Sequence, residues 1–342
     1  MKKMTDAELK KKLGDSYTAP AGLYAKTKDM PFLGQVSCNI EEMIAGSWQE
    51  IIIDYELGQS GMADGSWFKA TFRFYSDWEL FQTTDPTAAN YVSAEYHAGP
   101  TMDGQSPASV QKLSVRFDQK GHERPFQKAV IVDTYDGYLK AGDHIIIRLG
   151  DRRFGGPGTR VQTFTEEFFK FRCYADPLGT SRFAAVEPDL NINIKPGAPA
   201  LLQWAGSRLV RQGEAIPLRI RAEDEWGNTG WSRPDKVQVR ASLDGNVCYE
   251  KELHLPAEGW AVQLLEDMPT DKPGELTITA TMPEHPAVKT HTFYVTIDKE
   301  LDIPRIFYPD MHVHSEDTVG TNSTSYNLTH CPDLTRLSCL AF

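Results

Sequence analysis

Glu50-Ile-Ile-Ile-Asp54-Tyr-Glu-Leu-Gly58 decides how the chain is read. Ile51, Ile53, Tyr55 and Leu57 alternate with Ile52, Asp54 and Glu56, so an extended segment turns one apolar and one mostly polar face outward. That is the period of a half-buried strand, and Gly58 ends it. After the Ala63-Asp-Gly65 turn the same period returns, with Ala70, Phe72 and Phe74 on one face and Lys69, Thr71 and Arg73 on the other.

Working outward, Leu113 to Phe117, Lys128 to Thr134, His144 to Leu149, Gln162 to Thr165 and Phe168 to Tyr174 read as further strands, punctuated by Asp136-Gly137 and Ala141-Gly-Asp143. Many short strands without helical periods between them predict a β-sandwich over residues 46–195, with Pro188 and Pro196-Gly-Ala-Pro199 marking its exit. Residues 1–45 form a lead-in, in which Thr5-Asp-Ala-Glu8 is a capping box for a short helix to about Leu13. Residues 196–300 carry seven strand patterns: Leu201 to Trp204, Ile216 to Ala222, Val237 to Ser242, Val247 to Leu253, Trp260 to Leu264, Leu276 to Ala280 and Thr290 to Ile297. That count, with the turns Trp226-Gly-Asn228 and Asp244-Gly-Asn246, predicts an immunoglobulin-like sandwich without the paired cysteines of antibody domains. Residues 301–342 change character to strand, then helix, then the start of another strand, the opening of an α/β domain.

Composition bounds the function. Charged residues at 24% and hydrophobic residues at 40% of 342 are globular values, enough for two or three cores. A net charge of −11 argues against a surface that tracks phosphates, so nucleic acid is not an expected partner. Five scattered cysteines without C-x-x-C spacing read as free thiols. The N-terminal stretch lacks a signal-length apolar core and no run approaches a membrane span, so a cytoplasmic protein without a membrane partner is expected.

The chemistry sits in Ile306-Phe-Tyr-Pro-Asp310-Met-His312-Val-His314-Ser-Glu-Asp317. In an extended strand Asp310, His312 and His314 share one face. A carboxylate and two imidazoles suit zinc, manganese or iron, although a catalytic centre needs about three protein ligands plus an open position. With nine histidines in the chain, the full Asp-x-His-x-His pattern arises in roughly one or two shuffled chains per hundred.

The Asp310-Met-His-Val-His314-Ser run resembles the first metal motif of PHP-type (polymerase and histidinol phosphatase) metal-dependent hydrolases. Over roughly residues 45–340 the chain is similar to the domain-of-unknown-function 3604 family (DUF3604), in which a β-rich leader precedes such a domain. The leader stretches that match are Ser76-Asp-Trp78, Phe81-Gln-Thr-Thr-Asp-Pro86, Tyr135-Asp-Gly-Tyr-Leu-Lys-Ala-Gly-Asp143, Leu149-Gly-Asp-Arg152 and Ala222-Glu-Asp-Glu-Trp-Gly-Asn228. Pro309 stands where the family commonly has Gly, and His314 where it often has Gln. Pro332 falls where the family continues a helix, and the chain ends before the Thr-Asp-His motif expected next, so a truncated or altered C-terminus is expected.

The resemblance implies two β-sandwiches followed by the first βα unit of a PHP-like barrel, and a phosphoesterase-type hydrolase acting on a small-molecule or phosphoester substrate in the complete protein. Asp310, His312 and His314 would hold a divalent transition metal there, while this chain would bind metal weakly or not at all and turn over nothing. The other reading is a non-catalytic β-sandwich module for a carbohydrate or protein partner, with Trp67, Trp78 and Tyr91 as a sugar platform. Gly150-Asp-Arg-Arg-Phe-Gly-Gly-Pro-Gly158 lacks the Gly-Lys-Ser/Thr of a phosphate loop and reads as a basic turn. His97, His122, His144, His254, His285, His291 and His330 lack paired spacing and read as surface or structural. No Gly-x-Ser-x-Gly elbow supports serine hydrolase chemistry.

Overall fold

A computed structural model describes residues 33–100, 110, 112–228, 235–255 and 262–302. The helix expected after Thr5 and the βα unit expected over 301–342 lie outside the described residues, apart from Leu301 and Asp302. Among the described residues there is no helix, and 53% of those residues are in strands. The chain divides into two compact units, the first built from residues 33–43, 47–162 and 168–193, the second from 44–46, 163–167 and 194–302.

In chain order the first unit carries β1 (Gly34–Cys38), β2 (Glu42–Ile44), β3 (Trp48–Gln49), β4 (Ile51–Leu57), β5 (Trp67–Phe72), β6 (Val92–His97), β7 (Lys112–Asp118), β8 (Lys128–Tyr135), β9 (His144–Leu149), β10 (Thr159–Arg160), β11 (Glu166–Asp176) and β12 (Ala184–Lys195). They form a four-stranded sheet, β1-β4-β9-β6, and a six-stranded sheet, β2-β12-β11-β5-β8-β7, with β10 and β3 as a separate pair. The alternation in β4 is realised in full: Ile51, Ile53, Tyr55 and Leu57 are buried between the sheets while Ile52, Asp54 and Glu56 are partly exposed. Each buried aliphatic side chain contributes about 2 kcal/mol, and a one-residue slip would exchange that set for Asp54 and Glu56. Tyr55 stacks flat on Phe68 of the opposite sheet, with ring centroids 4.4 Å apart.

Three corrections follow. Strand β1 lies inside the stretch expected to be a lead-in, because its inward positions are Gly34, Val36 and Cys38, only one of them strongly apolar. Strand β12 runs straight through Pro188, which had marked the exit of the sandwich. Its neighbour β2 is three residues long and meets it near Asn193, so exposed Pro188 lies where β12 has a single neighbour, a position proline tolerates. Gln162 to Thr165 is not a strand, since the pairing belongs to Thr159 and Arg160.

The second unit contains β13 (Leu201–Ala205), β14 (Leu209–Arg211), β15 (Leu218–Glu223), β16 (Asp235–Leu243), β17 (Asn246–Leu255), β18 (Val262–Leu265), β19 (Gly274–Thr281), β20 (Lys289–Thr290) and β21 (Phe293–Asp298). Its sheets are β18-β15-β13-β20 and β14-β21-β19-β16-β17. Leu202, Trp204, Leu218 and Ile220 from the first meet Val237, Val239, Leu276, Ile278, Phe293 and Val295 from the second in one core, so this unit is a two-sheet sandwich. Asp244 and Gly245 both take positive φ, 49° and 85°, which is the two-residue turn that matches strand twist between β16 and β17. Two parallel pairings, β13 with β20 and β14 with β21, were not legible from alternation.

Candidate functional site

Asp310, His312 and His314 lie outside the described residues. Among the described residues no group of three His, Cys, Asp or Glu side chains is arranged to hold a metal ion. No helix among them is long and apolar enough to cross a membrane.

The expected sugar platform does not exist as one. Trp78 is 2% exposed, packed at 5.2 Å from Phe169 and 5.6 Å from Phe171. Its indole nitrogen donates to Thr159 Oγ1 at 2.9 Å, and that hydroxyl donates to Asn90 Oδ1 at 3.0 Å. Backbone constraint explains the burial: Ser76 Oγ accepts the Trp78 amide at 3.2 Å and donates to Gln162 Oε1 at 2.7 Å, which folds the Ser76-Asp-Trp78 bend inward. Trp67 is half-buried against Phe183, and Tyr91 packs its ring edge against Phe154.

The glycine-rich loop is a basic turn whose cations are already engaged. Arg153 donates to Asp151 and to Glu95, both at 2.7 Å, and Ser93 donates to Asp151 at 2.6 Å. Burial alone would raise the Asp151 carboxyl, but the Arg153 and Ser93 hydrogen bonds outweigh it and bring it down to about 2. Arg152 donates to the Trp48 carbonyl at 2.8 Å and the Pro157 carbonyl at 3.0 Å. Gly150 and Gly158 are needed because the loop lies flat on its neighbours. A Cβ at Gly150 would stand 2.2 Å from the Thr159 nitrogen, and one at Gly158 2.5 Å from the Gln49 oxygen. The glycines therefore serve chain packing, leaving no open cradle of amides for a phosphate.

A marked electrostatic perturbation lies on the outer face of the six-stranded sheet. Lys69 is 5% exposed, with Nζ donating to the Gly121 carbonyl at 2.9 Å and standing 3.7 Å over the Phe183 ring. Burial first, then the Arg116 charge, lowers its pKa to about 8. His122 stacks on Tyr174 at 4.1 Å, and burial followed by the Lys69 and Arg172 charges lowers it to about 4, so the ring is neutral at physiological pH. An amine of this kind has the acidity of a nucleophile. Here Nζ is covered by a carbonyl and an aromatic face, and the geometry is that of a buried cation held by a second small core of Tyr174, Phe183, Ala185 and Trp67.

No family model and no curated protein matches the chain. Among solved structures it is similar to Yersinia pseudotuberculosis InvD, at 10% identity and a TM-score of 0.33, covering 82% of this chain and 60% of that one. The Escherichia coli adhesin FdeC aligns at 12% identity and a TM-score of 0.24, covering 78% and 64%. Escherichia coli alpha-2-macroglobulin aligns at 10% identity and a TM-score of 0.25, covering 80% and 24%. The chain thus spans less than two thirds of each, and at these scores the likeness carries no functional argument.

Sequence reading missed the Lys69 cluster because Lys69, Thr71 and Arg73 read as a solvent face. The signal that does point to it is Trp67 and Tyr174, aromatic residues on that same nominally polar side. The leader stretches singled out by family resemblance turn out to be hydrogen-bond anchors. Asp143 accepts the Gly99 amide at 2.9 Å and the Lys140 amide at 2.8 Å, and Asp224 organises its own loop through both carboxylate oxygens.

Proposed function

We propose that the two sandwiches are the non-catalytic leader of a PHP-like metal-dependent hydrolase of phosphoesterase type, and that Asp310, His312 and His314 are its first metal ligands. The observation that carries this is the donor set: one carboxylate and two imidazoles at alternate positions, starting twelve residues after strand β21 ends at Asp298. Support also comes from the leader, where the stretches resembling the family hold turns and loops in place. The second unit, on its strand pattern, belongs in this proposal to the immunoglobulin-like class.

Zinc, manganese or iron would supply a water of lowered pKa and charge stabilisation at the substrate. In this chain Asp310 would act as a ligand or orient an imidazole, and His312 and His314 would donate ring nitrogens. The substrate class in this proposal is a small molecule or phosphoester. Elemental analysis tests the assignment. In a protein that continues past Phe342, His312→Ala with His314→Ala is expected to remove bound transition metal, with the 342-residue chain binding weakly at most. Unchanged metal content in the substituted protein would sink the assignment.

A partner-binding reading keeps one specific support. Phe154 is 52% exposed and Trp48 40% exposed. Phe154 lies edge-on to Tyr91 at 6.1 Å, and Arg152 holds the Trp48 carbonyl. Exposed aromatics fixed by a rigid loop suit a sugar or protein surface. For a sugar partner, a glycan array probed with the chain gives binding that Phe154→Ala reduces at least tenfold, without change in Tm; an array without signal removes the sugar partner.

A further inference from the structure

The first sandwich brings two cysteines from opposite sheets to one place. In the four-stranded sheet Tyr55 pairs with Val36, and one step on Ile53 pairs with Cys38. In the six-stranded sheet Phe68 pairs with Ala175, and one step on Ala70 pairs with Cys173. The stacked rings of Tyr55 and Phe68 fix β4 directly over β5. Because the chain passes from Leu57 to Trp67 through a single connection at that end, β4 and β5 run in opposite directions. Moving away from the connection therefore takes Tyr55 to Ile53 and Phe68 to Ala70, which lays the Ile53–Cys38 row over the Ala70–Cys173 row.

The flanks agree. Strand β6, beside β9, lies next to β7, beside β8, on one flank of the sandwich, so β1 and β11 share the other. Cys173 is fully buried, and it occupies the inward parity of β11 with Phe169, Phe171 and Ala175. Cys38 occupies the inward parity of β1 with Val36, half-buried at the strand end. Both are free thiols. Burial pushes the Cys173 thiol up first, and the Cys38 thiol is the next cause, which is electrostatic contact between the two across the sandwich. Ala70 pairs with Cys173 and Ala175 lies two residues on, so the side chains beside Cys173 on its inward face are small; closing the pair brings the two Cα atoms to the roughly 5–7 Å that a disulfide spans.

We infer that Cys38 and Cys173 are a redox pair that closes into a disulfide tying the two sheets of the first sandwich when a disulfide oxidant is present. The half-buried member reacts first. The Cys38 thiolate attacks one sulfur of oxidised glutathione and displaces a glutathione thiolate, leaving a mixed disulfide. Cys173 then attacks the Cys38 sulfur and expels the second glutathione, its proton passing to the departing thiolate. Two protein thiols are oxidised and one small disulfide is reduced to two thiols, so electrons and protons balance. In a reducing compartment the pair stays open.

Incubating the 342-residue chain with oxidised glutathione, quenching with N-ethylmaleimide and mapping peptides by mass spectrometry tests this. The expected result is a Cys38–Cys173 linked peptide, five alkylatable thiols falling to three under denaturing conditions, and a rise in Tm of about 5 °C or more that dithiothreitol reverses. Cys38→Ser, at a half-exposed strand end, should fold and lose the linked peptide and the Tm shift together. Cys38 found only as its glutathione adduct, or a linkage confined to Cys248, Cys331 or Cys339, overturns the inference.

Discussion

Trp78→Ala is expected to destabilise the first sandwich by about 3–5 kcal/mol, at the upper end of large-to-small core substitutions. The ring is surrounded by Phe72, Phe81, Phe169 and Phe171, all of them buried, so the cavity left behind has no flexible neighbour to fill it. The loss has a polar part as well. Thr159 Oγ1 sits buried between the indole and Asn90, and without the indole its acceptor site is left unpaired. Trp78→Phe separates the two contributions, retaining most ring contact while deleting the N–H, with an expected cost of about 1–3 kcal/mol. Urea unfolding monitored by fluorescence and by circular dichroism measures both. A cost for the alanine variant below about 1 kcal/mol would show that the indole is dispensable to the core and would reopen its use as a ligand surface.

The second large effect is expected at Asp224. Its carboxylate is 4% exposed. Oδ1 accepts the Trp226 and Asn228 amides, each at 2.9 Å, and Oδ2 accepts the Gly197 amide and the Asn228 side-chain nitrogen, each also at 2.9 Å. One residue thus closes the Asp224-to-Asn228 turn and ties it to the start of the second unit. Asn228 in turn donates to the Thr163 carbonyl at 2.7 Å and accepts the Thr165 amide at 3.0 Å. Asp224→Ala leaves four donors without their acceptor and is expected to cost about 3 kcal/mol or more, since hydrogen bonds to a charged acceptor exceed neutral ones. Asp224→Asn should fall between, because its amide group retains one acceptor oxygen. Amide hydrogen exchange provides the local readout: the alanine variant should lose protection at Trp226, Asn228 and Gly197 before the strands of the second unit. Protection unchanged at those three amides would refute the anchoring role.

Strands whose buried face is uniformly apolar were readable from residue order. Strand β4 needs nothing beyond Ile51, Ile53, Tyr55 and Leu57, and β16 buries Val237, Val239 and Ala241 in the same way. Strands β1 and β6 were not readable, because most of their inward positions are small or polar and their neighbours supply the apolar surface, whereas β12 buries Leu190, Ile192 and Ile194 in alternation and was hidden by Pro188 in its middle. In β6 only Val92 is fully buried, and it is held by pairing with Leu149 of β9. Lys69 shows the reverse error: a charged residue at strand period reads as solvent-facing, yet the hairpin carrying Phe183 and the loop carrying Gly121 cover it. The Asp310, His312 and His314 donor set was legible as chemistry from residue types and spacing alone. The roles of Asp143, Trp78 and Asp224 were not, because their decisive partners stand far away in sequence, as Thr159 does from Trp78.

The chain path of the second unit bears on how this protein can be divided. That unit takes residues 44–46 and 163–167 from within the sequence span of the first. A break after Asn193 therefore yields one piece carrying segments that belong to the other unit and a second piece deprived of them, with the Asn228 amide nitrogen and oxygen left without Thr163 and Thr165. In recombination or domain shuffling the natural unit of inheritance is the whole stretch from β1 to β21, and a gene fusion that transplants either sandwich alone starts with a hydrogen-bonding deficit.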